Sequence, residues 1–233
     1  MKIAILGSTG FVGNVLIKKA IARGYEIKTL ARNPEKLNEI KDKIEIIQGN
    51  VFEPASIDTA IEGTEVVLST VGPPPGKPCN PGQYQEAMKN IIAVMEKHAI
   101  KRYIHIGGAV HQGGENEIWN FKRKFLRFFL NLMSKPILIA KQLEWEVLKS
   151  SDLEWTLVRP PRITGGNISA RLYANEKYLY SLQISVEDLT DFILDQIKSR
   201  EWIKKAPLVS SKWSNLGTMS VRGFVKPDVS ELE

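Results

Sequence analysis

The sequence predicts an α/β fold in which a doubly wound parallel sheet carries helices on both faces. Short apolar runs alternate with amphipathic stretches through the first half of the chain, and the runs are apolar throughout, as expected of parallel strands covered on both sides. A turn rich in glycine joins the first apolar run to the first amphipathic stretch, which is a common junction between strand and helix in such folds.

The hydrophobic period assigns the elements in chain order. Apolar runs predict five strands, at residues 2–6, 25–31, 44–48, 65–71 and 101–106. Helical spacing predicts helices between them, at residues 11–22, 34–40, 55–61 and 81–97. Later in the chain we expect a helix at 137–150, a strand at 155–159, a helix at 186–197 and a strand at 207–210. Since no repeat or linker interrupts this order, we predict a single domain over residues 1–213, with residues 214–233 as a tail of undetermined order.

Composition and charge exclude several classes of protein. Of 233 residues, 43% are apolar, which is enough for a hydrophobic core, and 32 basic against 26 acidic side chains give a net charge of +6. Cys79 is the only cysteine, so an intrachain disulfide and a cysteine-based zinc site are excluded and a reducing, cytoplasmic setting is expected. No apolar run is long enough to cross a bilayer, and no spacing of histidines and carboxylates suits a metal site. Basic residues are not spread over one face, as a nucleic-acid-binding surface would require. We expect a protein that binds small molecules, of undetermined oligomeric state.

The glycine turn has the spacing G-x-x-G-x-x-G directly after the first predicted strand. In a Rossmann-like fold such glycines allow a tight turn, close backbone approach to a pyrophosphate and close packing of helix on strand. The free N–H groups and positive dipole end of the helix then face the phosphates. We therefore expect a dinucleotide to be bound by Gly7, Ser8, Thr9, Gly10, Phe11, Val12 and Gly13.

The ends of the next strands predict the rest of the cofactor site, because ligands lie at the carboxyl ends of parallel strands. Arg32 follows the second strand where an acid would bind the ribose of NAD, so its guanidinium favours the 2′-phosphate of NADP. Asn50 and Val51 follow the third strand and are expected at the adenine. At the end of the fourth strand and just past it, Thr70, Val71 and Gly72 are expected beneath the cofactor.

Together these motifs resemble the atypical short-chain dehydrogenase/reductase family, in the small NAD(P)H-binding branch that includes NmrA-like proteins and flavin/biliverdin-IXβ reductases. The resemblance covers roughly residues 1–200. It rests on G-S-T-G-F-V-G at 7–13, L-A-R-N-P at 30–34, Q-G-N-V at 48–51, S-T-V-G at 69–72, K-R-Y-I-H-I-G-G at 101–108, W-T-L-V-R-P-P-R-I at 155–163 and I-S-V-E-D-L at 184–189.

The resemblance implies an incomplete set of catalytic groups. Family members that reduce carbonyls use a Tyr-x-x-x-Lys pair; here Lys141 matches the lysine, but Ile137 stands in place of the tyrosine. Lys141 is expected to bind the nicotinamide ribose, and Pro160 to line the nicotinamide. Arg162 is a candidate for holding an anionic substrate group or, equally, for a structural salt bridge. His111 is a candidate proton donor, although a solvated loop histidine is the more ordinary interpretation.

Residues 119–135 contain five basic side chains and no acid. On a helix, Phe121, Phe125 and their apolar neighbours share one face, with Arg123 and other polar residues opposite. We favour a lid, part of an insertion at about 109–135, whose aromatic side, including Phe125, contacts substrate and whose basic side faces water. The alternative is a basic amphipathic helix that lies on an anionic membrane or is bound by a partner.

The sequence therefore favours an NADP(H)-dependent oxidoreductase that passes hydride to a small conjugated acceptor of the flavin, quinone or tetrapyrrole type. NAD is the less favoured cofactor. The main alternative is an NADP(H)-binding redox sensor without catalysis, as among NmrA-like proteins. A sugar-nucleotide epimerase or dehydratase is a weaker alternative, because the tyrosine is absent and the C-terminal part is short.

Overall fold

A parallel sheet of six strands forms the centre of the computed structural model, which describes residues 1–74, 78–110, 113, 117–119, 121–166 and 171–212. The strand order is β3-β2-β1-β4-β5-β6, so the order reverses between β1 and β4. The strands are β1 (Lys2–Leu6), β2 (Glu26–Ala31), β3 (Glu45–Gln48), β4 (Val66–Ser69), β5 (Arg102–Ile106) and β6 (Glu154–Val158). In a sheet of this kind, the reversal opens a crevice at the carboxyl ends of the strands.

Helices cover both faces of the sheet. They are α1 (Phe11–Ala22), α2 (Pro54–Ile61), α3 (Pro81–Lys97), α4 (Phe121–Lys149) and α5 (Val186–Asp195), with a 3-10 helical segment at Pro34–Lys43. Side chains of β1 alternate between two cores: Ile3 and Ile5 pack with α1 and α5, whereas Ala4 and Leu6 pack with α2 and α3. The predicted Rossmann-like α/β fold is confirmed.

Four short strands form two small sheets beside the carboxyl end of β6. They are β7 (Arg162–Thr164), paired in parallel with β9 (Gln183–Ser185), and β8 (Arg171–Asn175), paired antiparallel with β10 (Leu208–Lys212). Only β10 is close to a predicted strand. The other three escaped prediction because strands of three to five residues carry little periodic signal.

The long helix α4 consists of two helices that meet at a kink. Ser134 has φ −154° and ψ 46°, which is not helical, and Pro136 follows. Proline provides no backbone N–H and clashes with the preceding turn, so a break here is expected. The two parts correspond to the predicted lid helix and the predicted helix at 137–150. Among the described residues, no helix is both long and apolar enough to span a bilayer.

Candidate functional site

The glycine turn between β1 and α1 is shaped by contacts that exclude side chains. Gly7 has φ +89°, and a Cβ there would lie 2.6 Å from Thr70 Oγ1. A Cβ on Gly13 would lie 2.1 Å from the Gly7 carbonyl oxygen and 2.7 Å from the Ser8 Cα. These two glycines are therefore required by the packing of the chain against itself.

Gly10 differs from the other two glycines of the turn. It is exposed, its φ of −78° suits any residue, and a Cβ on it would approach nothing closer than the Gly7 carbonyl oxygen, at 3.4 Å. It caps α1 without a side-chain hydrogen bond, and the first turn of that helix contains no acid. The N-terminal N–H groups of α1 are thus available to an anion, and glycine at this position leaves room for one.

The remaining residues of the turn divide between core and surface. The Ser8 side chain is buried, with its Oγ 2.7 Å from the Thr29 hydroxyl, so Ser8 has only its backbone to offer a cofactor. Val12 packs against the core beneath α1. Phe11 is 58% exposed and Thr9 is half-buried, which places both at the rim of the turn.

The end of β4 connects the glycine turn to Lys141. The Thr70 hydroxyl donates to the Gly7 carbonyl oxygen at 3.0 Å. The ammonium of Lys141 donates to the carbonyl oxygens of Val71 at 3.4 Å and Ile106 at 3.2 Å, and a Cβ on Gly72 would lie 3.0 Å from its nitrogen. The structure thus brings together Thr70, Val71, Gly72 and Lys141 at the carboxyl end of the sheet, near the reversal of strand order.

Two buried groups that sequence reasoning did not assign to the site lie behind Lys141. Glu144 accepts a hydrogen bond from the Lys141 ammonium at 2.7 Å, and its Oε2 lies 3.4 Å from His105 Nε2. The other nitrogen of His105 lies 3.4 Å from the Tyr103 hydroxyl. His105 is therefore a buried histidine with polar partners, and it extends the network that holds Lys141. Glu144 follows Lys141 by one helical turn, and this i,i+3 spacing was the available signal.

Charges in this network are fixed by burial and pairing. Burial lowers the pKa of His105 and so favours its neutral ring, although the hydrogen bond to Glu144 acts in the opposite direction. Burial alone would raise the pKa of Glu144, but the charge of Lys141 and the hydrogen bond from His105 hold it below its usual value. The ammonium of Lys141 is therefore paired with the Glu144 carboxylate inside the protein.

The predicted adenosine residues lie at the ends of β2 and β3, on the other side of the glycine turn. Arg32 is exposed at the end of β2, and within the described ranges it forms no ion pair. Asn50 and Val51 are half-buried; Asn50 Oδ1 accepts the Phe52 N–H at 3.3 Å, and Val51 packs against the core below α2. An exposed guanidinium without a carboxylate partner is free to meet an external phosphate.

The opposite side of the site, where substrate is expected, lies past β5 and β6. Pro160 is buried, and its carbonyl oxygen accepts the Ala109 N–H at 2.9 Å. Arg162 on β7 is exposed and has no ion pair in the part of the chain that the structure describes, so the structural salt bridge considered for it is not observed there. Ile137 is half-buried, one turn before Lys141. His111 lies outside the described residues.

The predicted orientation of the lid helix is wrong. Arg123 was expected to face water, but it is fully buried and pairs with Glu117, which also pairs with the buried Arg159. Burial lowers the pKa of Arg159 to about 10 against the attraction of Glu117, so the cost of burying these charges is only partly offset. Phe125, expected against substrate, is instead 54% exposed. The helical pattern showed which residues share a face, whereas the buried ion pairs determine which face points inward.

Comparison with known proteins places the chain in a family. Residues 7–200 match the family described as NAD(P)H-binding. Among curated proteins, the chain is 31% identical over 109 residues to the uncharacterized protein YwnB of Bacillus subtilis, covering 47% of this chain and 48% of that protein. It is 24% identical over 219 residues to the divinyl chlorophyllide a 8-vinyl-reductase of Arabidopsis thaliana, covering 84% and 49%. The chain thus spans about half the length of these relatives.

Solved structures support the fold. The oxidoreductase ylbE of Lactococcus lactis has a TM-score of 0.75 at 22% identity, covering 92% of both chains. ChuY of Escherichia coli O157:H7, an anaerobillin reductase, has a TM-score of 0.76 at 15% identity, covering 94% of this chain and 100% of that one. A short-chain dehydrogenase/reductase of Veillonella parvula, solved with NADP, has a TM-score of 0.71 at 16% identity, covering 90% and 94%. At these identities the likeness concerns the fold alone.

Proposed function

Because this chain belongs to the NAD(P)H-binding family, we propose that it is an NADP(H)-dependent oxidoreductase that passes hydride to a small conjugated acceptor of the flavin, quinone or tetrapyrrole type. The observation that carries the proposal is that Lys141 is present while Ile137 stands in place of the tyrosine. The lysine is held at the strand ends, beside Val71 and Ile106, but the position one turn earlier carries no hydroxyl. Reactions that need a tyrosine proton donor are therefore disfavoured, whereas acceptors that take their proton from water are not.

The residues of the crevice fit a phosphorylated dinucleotide. The open approach at Gly10 and the uncapped start of α1 suit a diphosphate, and the exposed Arg32 suits a 2′-phosphate. Asn50 and Val51 then border the adenine, and Pro160 the nicotinamide. When bound, the reduced nicotinamide supplies a hydride, which is two electrons and a proton, to the acceptor.

Lys141 has the geometry to orient the nicotinamide ribose. Its ammonium has three donors, and the 2.7 Å contact to Glu144 is the shortest of its three contacts, whereas the 3.4 Å contact to Val71 is the longest. A ribose hydroxyl can replace the weakest of these hydrogen bonds without leaving the ammonium unpaired. Positioning of this kind supplies much of the rate when no proton transfer by the protein is needed.

Arg162 gives the acceptor side a preference for anions. Arg162 is exposed at the start of β7, past the carboxyl end of β6, where its guanidinium can hold a phosphate or carboxylate. Flavin phosphates and tetrapyrrole carboxylates carry such groups. Two similar proteins, the anaerobillin reductase and the divinyl chlorophyllide reductase, have names that refer to tetrapyrroles, which supports this acceptor class.

The test is stopped-flow oxidation of NADPH, followed at 340 nm, with FMN, riboflavin, a benzoquinone and biliverdin as acceptors. We expect acceptor-dependent oxidation. FMN and riboflavin share a ring and differ by a phosphate, so Arg162→Ala should raise KM for FMN about tenfold and leave riboflavin within twofold. If Arg162→Ala affects both flavins equally, the anion-binding role is wrong.

A redox sensor without catalysis is the second candidate. It is favoured by Ile137, because without the tyrosine hydroxyl the site keeps residues suited to binding the cofactor but lacks the family's proton donor. Tight NADPH binding without acceptor-dependent oxidation in the same experiment would favour the sensor over the reductase.

A further inference from the structure

An apolar stripe lies on the solvent side of the first half of α4. We define it by Phe121, Phe125, Phe128 and Leu132, which are 81%, 54%, 69% and 77% exposed. Their spacing of four, three and four residues places them on one line along the helix. The rings of Phe121 and Phe125 stack on each other, with centroids 6.3 Å apart. Large aromatic side chains in a continuous exposed row are typical of a surface that binds a protein, a membrane or a ligand.

The outward orientation of the stripe is built into the fold. On the opposite side of the same helix, Arg123 is buried and pairs with Glu117, and its Nε donates to the Ala109 carbonyl oxygen at 2.7 Å. Rotating the helix to bury the stripe would break this ion pair and leave Glu117 and Arg159 to rearrange in the core. Such a change is costly, because a buried charge that loses its partner destabilises a protein by several kcal/mol.

Exposed cations border the stripe. Lys124 directly precedes Phe125 and lies on one flank of the stripe. Arg127 is exposed further round the helix, where its guanidinium lies 4.9 Å from the centroid of the Trp119 ring. The exposed Lys135 follows the stripe beyond the kink. The sequence contains no acidic residue from 118 to 143. The surface therefore combines an aromatic row with positive charge that is not neutralised along this helix.

We propose that the stripe lies on an anionic membrane surface, with its aromatic side chains in the interface and Lys124, Arg127 and Lys135 against lipid headgroups. An amphipathic helix with aromatic residues on one face and lysine or arginine beside them binds membranes in this way. A second copy of the chain is a poorer occupant. A two-fold contact through the stripe would bring the same cations of both copies together, with no acid on this stretch of the helix to pair with them.

The experiment is flotation of the full chain with vesicles of phosphatidylcholine alone or with 30% phosphatidylserine, at 50 and 500 mM salt. We expect binding to the anionic vesicles at low salt and its loss at high salt. Phe125→Ser/Phe128→Ser should weaken binding at least about tenfold by removing apolar contact. Lys124→Gln/Arg127→Gln should also weaken binding, by about twenty-five-fold, since each charge near such a surface contributes roughly fivefold.

Matched controls separate this surface from general charge and hydrophobicity. Lys41→Gln/Lys43→Gln removes two exposed charges from the 3-10 segment, and Leu182→Ser removes an apolar side chain that is 37% exposed elsewhere. Both should bind anionic vesicles within twofold of the original chain. Because the stripe is exposed, its variants should keep the thermal midpoint, which excludes misfolding as the cause of lost binding.

Three results would overturn the proposal. One is the absence of binding to anionic vesicles at 50 mM salt, and another is equal binding to phosphatidylcholine alone. The third is a dimer in sedimentation equilibrium that disappears in Phe125→Ser/Phe128→Ser, because the stripe would then be covered by a second copy.

Discussion

The cofactor side and the acceptor side of the crevice are stabilised in different ways. On the cofactor side, the turn at residues 7–13 and the ends of β1 to β4 rely on close backbone contacts, such as that of Gly13 with Gly7. On the acceptor side, the first half of α4 and the loop before it are held by buried ion pairs between distant segments, through Glu117 and Arg159. Close backbone packing leaves a local trace in the sequence, whereas pairing between distant charges leaves none that a single sequence shows.

The largest expected effect is on the acceptor side, where Glu117→Gln removes the carboxylate between two buried arginines. We expect the free energy of unfolding to fall by about 3 kcal/mol, because buried positive charge loses its partner. Urea titration measures the change.

The matched control for that substitution is Glu86→Gln, which removes a carboxylate from an exposed pair with Lys89. It should cost under about 0.5 kcal/mol. If Glu117→Gln costs no more than this control, the acceptor side is not held by the buried ion pairs.

On the cofactor side, the prediction concerns Gly13→Ala and Gly10→Ala. A Cβ on Gly13 would lie 2.1 Å from a backbone oxygen, so we expect a loss of about 2 kcal/mol or more in unfolding free energy. Gly10→Ala should cost under about 1 kcal/mol, since it meets only ordinary contacts, but should weaken NADPH binding more than about tenfold if the methyl group stands where the diphosphate approaches. Unchanged NADPH affinity in Gly10→Ala would contradict the assignment of the turn.

The third prediction concerns the network between the two sides. Glu144→Gln removes the carboxylate that fixes the Lys141 ammonium, so we expect NADPH affinity and turnover to fall about tenfold through loss of positioning. Glu146→Gln is the control, because Glu146 is exposed on the same helix and pairs with Lys149 instead. Steady-state kinetics and fluorescence titration with NADPH distinguish the two variants; equal effects would mean that Glu144 has no role at the site.

Much of the cofactor side could be predicted from the sequence. The strands β1 to β5 have enough apolar residues for their period to be read, and the glycine turn is a local motif whose position after β1 defines its context. The structure places Lys141 beside Val71 and Gly72, which were expected beneath the cofactor; the expectation for Lys141 itself came from the family resemblance. Glu144 was not predicted because its i,i+3 spacing from Lys141 is common on helix surfaces and does not show that the pair is buried behind the strand ends.

The acceptor side could be predicted only in part. The two halves of α4 were expected. The break between them has a local signal in the sequence, because Pro136 interrupts a helix. The burial of Arg123 was not predictable from its helix, because its partner Glu117 lies in a loop and the third member, Arg159, follows β6. Short strands such as β7 depend on tertiary pairing rather than on period.

Arg32 provides the most direct test of the central claim, which is that the crevice binds NADP(H) in preference to NAD(H). Isothermal titration calorimetry with NADPH and NADH, on the original chain and on Arg32→Ser, measures the preference and its source. We predict that NADPH binds at least about tenfold more tightly than NADH, and that Arg32→Ser removes most of this difference while leaving NADH affinity unchanged. Equal affinity for the two nucleotides in the original chain, or a preference that persists in Arg32→Ser, would contradict the account.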